Sequence, residues 1–171
     1  MSFNSIPEFS FPLINNRDPD TIKALKNALT SHGFFTITDH GIDDDLLSAS
    51  YSMSKKFFEL EESTKNTYAH PEMGGARGYT PFGKETALGE TTPDMKEFWH
   101  HGPVTDDSFD ARITSNINVA ELPEFNSQFD GLFNDLNLLG MKVLSAIAVI
   151  LHKEPNFFDD WVSKGNSLLR L

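Results

Sequence analysis

The chain has 171 residues, enough for one domain with a substantial core. It carries 25 Asp and Glu against 14 Lys and Arg, a formal net charge of −11. That balance argues against nucleic acid or an anionic membrane surface as a partner, because both call for a basic protein face. There is no cysteine, which excludes disulfides, zinc–thiolate sites, iron–sulfur clusters and cysteine nucleophiles, so any metal would have to be held by His, Asp or Glu.

Apolar residues make up 39% of the chain and Phe occurs 15 times, a globular composition. The start, Met1-Ser2-Phe3-Asn4-Ser5-Ile6-Pro7, lacks a basic segment followed by an apolar run, so no secretory signal is expected. No stretch reads as the roughly 20 apolar residues of a membrane span. The expectation is a cytoplasmic protein.

Residues 6–14 alternate apolar and polar but contain Pro7 and Pro12, which limits them to a short edge strand. Asp18-Pro19 is a helix start, with Asp as cap and Pro at the first helical position. Ile22, Leu25 and Leu29 follow on one face, and Gly33 ends the helix. Phe34 to Thr38 is β-prone, and Asp39-His40-Gly41 is a turn in which the His40 ring is expected to bond nearby backbone. A second helix starts at Asp43, with Asp44 and Asp45 placed against its dipole. Its rows are Leu46, Met53, Phe57 and Leu47, Tyr51, Phe58.

Residues 70–95 hold Pro71, Gly74, Gly75, Gly78, Pro81, Gly83, Gly89 and Pro93, which predicts a long loop or a set of turns. Lys96-Glu97-Phe98-Trp99 predicts a strand. From Pro123, apolar residues Phe125, Phe129, Leu132, Phe133, Leu136, Leu139, Val143, Leu144, Ile147, Ile150 and Leu151 recur near a 3.6-residue period. A helix of about 28 residues would be about 42 Å long, and Pro155 stops it. A short helix around Phe157–Val162 and a strand at Leu168–Leu171 complete the chain.

The order of a Gly33-Phe34-Phe35-x-Ile37-x-x-His40-Gly41-Ile42 entry, Phe57-Phe58-x-Leu60 with Lys65 and Tyr68, Arg77-Gly78-Tyr79, Asp94-Met95-Lys96-Glu97-Phe98-Trp99 and Leu122-Pro123-Glu124-Phe125 resembles the N-terminal region of the isopenicillin N synthase-like Fe(II)/2-oxoglutarate-dependent oxygenases. The resemblance covers essentially the whole chain. It implies an α+β fold, a helix-rich region with a few short strands that normally packs on a double-stranded β-helix, or jelly roll, mostly absent here. The implied division is an N-terminal region at 1–120, a spine helix and short following helix at 121–164, and the start of the jelly roll at 165–171.

In the family, a His-x-Asp pair, a distant second His and an Arg for 2-oxoglutarate lie in the jelly roll. The resemblance therefore implies Fe(II) and 2-oxoglutarate for an intact member, with neither expected to bind this chain alone, and no catalytic or metal-ligating residue within it. The implied activity is oxidation of a small molecule (hydroxylation, desaturation or ring closure) coupled to decarboxylation of 2-oxoglutarate. The alternative is a non-catalytic binding or scaffold module, or a truncated fragment of such an enzyme.

Several local patterns compete as sites. His70-Pro71-Glu72 matches His-x-acid superficially, but it is turn-rich and has no second His evidently on its face. His100 and His101, adjacent on a strand, should point to opposite faces, which leaves a structural or solvent role. Gly74-Gly75 and Gly78 lack the Lys-Ser/Thr and strand-to-helix setting of a phosphate loop. The substrate-binding candidates are Arg77 and Tyr79. A guanidinium fork reads carboxylates well, and a neighbouring Tyr adds a hydrogen bond and an apolar wall. Arg77 thus points to an acidic group on a small-molecule substrate.

Overall fold

The computed structural model describes residues 5–86, 88–89 and 91–171. Met1 to Asn4, on which the expectation of no secretory signal partly rests, lie outside them, as do Ala87 and Glu90 of the glycine-rich loop. The chain forms two compact units, Met1–Ile42 with Leu136–Ser163, and Asp43–Asp135 with Lys164–Leu171. The long helix α5 (Phe125–Ile150) contributes its beginning to the second unit and its remainder to the first.

The first unit opens with β1 (Glu8–Ser10) and α1 (Phe11–Asn15), then α2 (Pro19–Ser31) and β2 (Thr36–Thr38). Its strands pair in parallel, Phe9 opposite Ile37. The alternation over 6–14 predicts a strand, but from Phe11 onward the chain is helical. Pro12 sits in the first helical turn, where a missing N–H leaves no bond unmade, and the turn carries Ile14 into the core. The start of α2 follows the sequence closely: the Asp18 side chain accepts from Thr21 N at 2.9 Å, and Pro19 opens the helix. Gly33, at φ 81°, takes the left-handed conformation that ends it. Ile14, Leu25, Ala146 and Ile150 form the core, with Phe9, Ile22, Leu29, Phe35 and Ile37 packed around them. A helix α6 (Asp159–Val162) ends this unit.

The second unit contains α3 (Asp44–Phe58), α4 (Glu62–Asn66), a 3₁₀ turn (Pro71–Met73), β3 (Gly78–Thr80), β4 (Phe98–His101) and β5 (Leu169–Arg170). Asp43 caps α3 by accepting from Asp45 N at 2.8 Å. The strands form an antiparallel sheet in the order β3-β4-β5, with Tyr79 opposite Trp99 and His100 opposite Arg170. β3 thus lies inside the segment that its Gly and Pro content predicts as loop, because a three-residue strand is created by pairing with β4 and not by local propensity. The core is aromatic. Phe57 meets Trp99 at 4.9 Å and Phe125 at 5.4 Å between ring centroids, and Phe125 meets Phe129 at 4.7 Å. Tyr51, on a predicted apolar row of α3, is exposed instead. Gln128 fastens α5 to α3 through Nε2, which donates to Ser50 Oγ at 2.9 Å and to the Leu46 carbonyl at 3.1 Å.

Contrary to the expectation drawn from its interruption by Asn134, Asp135, Asn137 and Lys142, α5 is long and apolar enough to cross a membrane by length and composition. Its two ends nevertheless sit in the cores of the two units: Phe125, Phe129 and Leu132 in one, Ala146 and Ile150 in the other. Leu136 and Leu138 between them remain exposed.

Candidate functional site

The predicted site residues lie on β3 and the turn before it. Tyr79 N donates to the Tyr68 carbonyl at 3.0 Å, drawing the strand tightly against Tyr68. Gly78 is required there twice over. Its φ is 78°, and a Cβ would come within 2.6 Å of both the Tyr68 carbonyl oxygen and Ile117 Cδ1.

Tyr79 is buried, and its hydroxyl donates to Glu97 Oε2 at 2.5 Å. Lys65 Nζ donates to the same oxygen at 2.7 Å and to the Phe58 carbonyl at 3.1 Å. Burial, reinforced by the Glu97 carboxylate, raises the Tyr79 phenol well above its ordinary range. The hydroxyl is therefore committed within the fold, and Tyr79 offers its ring as a wall.

Arg77 is 1% exposed. Its Nη1 donates to the Ala76 carbonyl at 2.6 Å, while Nε and Nη2 are buried without a hydrogen-bond partner among the described residues. The guanidinium lies on Gly102, where a Cβ would stand 2.6 Å from Nε and closer still to Cζ and Nη2. Asn116 clamps Gly102 by accepting from its N at 2.7 Å and donating to its carbonyl at 2.9 Å. Burial draws the Arg77 pKa downward, though a guanidinium stays charged at neutral pH. Arg77 and Tyr79 both line a cavity of about 240 Å³, with His70, Pro71, Gly75 and Lys84 among its other walls.

The histidines are engaged separately. His101 is fully buried and pairs through Nε2 with Asp130 Oδ1 at 2.7 Å. His100 Nδ1 faces the Gly75 carbonyl at 2.5 Å, and its Nε2 faces Arg170 Nε at 2.8 Å. A carbonyl only accepts and a guanidinium only donates, so His100 is neutral with its proton on Nδ1. Burial lowers the pKa of both rings. Both roles are structural, and neither ring is a solvent-facing group. His70 pairs with its own neighbour Glu72 at 2.8 Å in an exposed turn. Among the described residues no three His, Asp or Glu side chains are grouped so as to hold a metal. The donor set of the described residues does not fit iron. His40 behaves as its turn predicts, with Nδ1 accepting from Ile42 N at 3.1 Å.

The partners of Arg77 escape the sequence. Gly102 and Asn116 carry no motif: the pairing of β3 with β4 brings Gly102 near Arg77, and Asn116 arrives by bonding Gly102. The Lys65–Glu97–Tyr79 network is hidden similarly, since its members lie in α4, just before β4 and in β3.

A family model described as non-haem dioxygenase in morphine synthesis N-terminal matches residues 6–121. A 2-oxoglutarate-dependent dioxygenase of Didymella fabae is 28% identical over 152 residues, covering 83% of this chain and 46% of that protein. A crystal structure of a 2OG-Fe(II) oxygenase family protein from Caulobacter crescentus is 38% identical with a TM-score of 0.78, covering 97% of this chain and 55% of its own. A full-length Neurospora crassa protein, crystallised in complex with alpha-KG and thymine, is 26% identical with a TM-score of 0.78, covering 96% of this chain and 54% of its own. The chain spans about half the length of the curated relatives it matches.

Proposed function

This chain belongs to the family of non-haem dioxygenase N-terminal regions, and from that premise we propose that it forms the supporting half of an oxidoreductase that uses Fe(II), 2-oxoglutarate and O₂ to oxidise a small molecule. Residues 1–120 are the supporting region, 121–164 the spine and its following helix, and 165–171 the first strand of the jelly roll. The observation that carries the reading is the fit of nearly the whole chain, at 38% identity, onto about half of the Caulobacter oxygenase. Iron and 2-oxoglutarate supply the oxidising chemistry in such enzymes, and their ligands belong to the other half.

The residues of this chain hold and shape. Phe57, Trp99, Phe125 and Phe129 make a rigid aromatic base, and Glu97 fixes Tyr79 on it. Arg77 and Tyr79 then form a wall of the cavity that meets substrate. Thymine in the Neurospora relative is an instance of the small-molecule class.

The test is a chimera in which these 171 residues replace the matching part of the Caulobacter protein. Iron-dependent conversion of 2-oxoglutarate to succinate by the chimera is the expected result. A folded, iron-loaded chimera that forms no succinate would favour the non-catalytic module instead.

A further inference from the structure

Arg77 presents an electrostatic imbalance that the fold itself does not resolve. A guanidinium sealed from water needs a counter-charge or a full set of acceptors. Among the described residues no carboxylate forms an ion pair with it. The chain has 25 Asp and Glu, so the lack of a partner is not for want of acidic residues. Its charge disfavours the cationic forms of His100 and His101.

The identity of the orphaned atoms matters more than their number. Nη1 is occupied by the Ala76 carbonyl, while Nε and Nη2 have no acceptor among the described residues. In a guanidinium, Nε–H and one N–H of Nη2 run parallel along one side of the fork. That side receives the two oxygens of a planar carboxylate together. A lone carbonyl or hydroxyl would fill only half of it.

The edge is also built to stay in place. Gly102 gives the fork its seat, since a Cβ would displace it, and the two Asn116 bonds hold the Gly102 peptide. Arg77 further lines an apolar cavity of about 240 Å³ whose walls include Pro71 and Tyr79, with Lys84 as a second cation. A mostly apolar cavity with a few fixed polar groups is how small organic ligands are held.

We propose that the Nε–Nη2 edge of Arg77 is a receptor for one carboxylate, bound side-on, with Gly102 and Asn116 as the residues that position it. The carboxylate comes from a small organic acid entering the cavity, or from an acidic side chain elsewhere in a longer protein, and in either case it must displace what covers the edge, which is buried in this structure. In the first case the inference rests on the oxygenase reading only for calling that acid a substrate.

The experiment follows the Arg77 Nε–H resonance in the ¹⁵N-arginine-labelled 171-residue chain, assigned by its loss in Arg77→Lys. Benzoate and succinate are the probes, with benzamide and chloride as controls. A saturable shift with either acid and none with the controls is expected for the small-molecule source. Gly102→Ala should then weaken binding at least tenfold in a protein whose circular dichroism is unchanged. For the intramolecular source, the acids leave the resonance still in the 171-residue chain, and it sits shifted in the chimera until one acidic residue there is made its amide. A resonance insensitive to carboxylate in both proteins overturns the proposal. Neither titration requires turnover. An active chimera with an insensitive Arg77 defeats this inference alone, whereas saturable binding beside an inactive chimera defeats the oxygenase reading alone.

Discussion

The two units solve the problem of a core differently. The first packs aliphatic side chains from helices, Ile14, Leu25, Ala146 and Ile150, around a two-stranded parallel pair. The second packs Phe57, Trp99, Phe125 and Phe129 and threads polar and charged groups among them: Lys65 with Glu97 and Tyr79, His101 with Asp130, and Arg77 with, among the described residues, only a backbone carbonyl. An aliphatic core needs only the right volume in the right place. A core with buried charge depends in addition on particular partners, so it specifies geometry more narrowly and tolerates fewer changes. That is the construction expected where side chains must be held for a ligand.

The contrast can be broken first at its largest member. Trp99→Ala should cost about 4 kcal/mol by opening a cavity under the aromatic cluster, read by urea denaturation. In the first unit, Leu25→Ala should cost about 3 kcal/mol and Leu25→Met less than about 1.5 kcal/mol, because volume alone matters there. Lys65→Met should cost about 3 kcal/mol despite preserving volume, since it strands Glu97 in a largely buried setting. Adding Glu97→Leu to Lys65→Met should restore much of the loss. A double variant no more stable than the single one would mean that stranded charge is not the cause.

A smaller effect lies in pH. Burial holds the His101 pKa below its ordinary 6.5, only partly offset by Asp130. The unfolded chain therefore takes up a proton near pH 6.5 that the folded chain resists, so stability present above that pH is lost as the pH falls below it. His100 acts in the same direction. His101→Gln should flatten the dependence between pH 7 and 5 in urea melts, and an unchanged slope would assign the effect elsewhere.

Legibility in the sequence divides along the same line as the cores. Asp18-Pro19, Gly33, the His40 turn and the 3.6-residue period of α5 are local signals, each set by a residue's own backbone preference or spacing, and the structure contains them as read. The helix at Phe11–Asn15 was masked by an alternation that fits a strand equally well over so short a run. β3 and the burial of Arg77 were masked for a different reason. Both arise from pairing with β4, and the residues that matter, Gly102 and Asn116, are ordinary in their own neighbourhoods. Arg77 and Tyr79 could be singled out by residue type and resemblance. That Tyr79 spends its hydroxyl on Glu97 while Arg77 keeps its side-on edge could not.

On the proposed reading this chain builds and holds, and iron is bound by residues outside it. Anaerobic addition of Fe(II) and 2-oxoglutarate, followed by visible absorption, tests it most directly. The charge-transfer band of an Fe(II)–2-oxoglutarate complex is expected in the chimera and not in the 171-residue chain. A stoichiometric band in the 171-residue chain alone would contradict it.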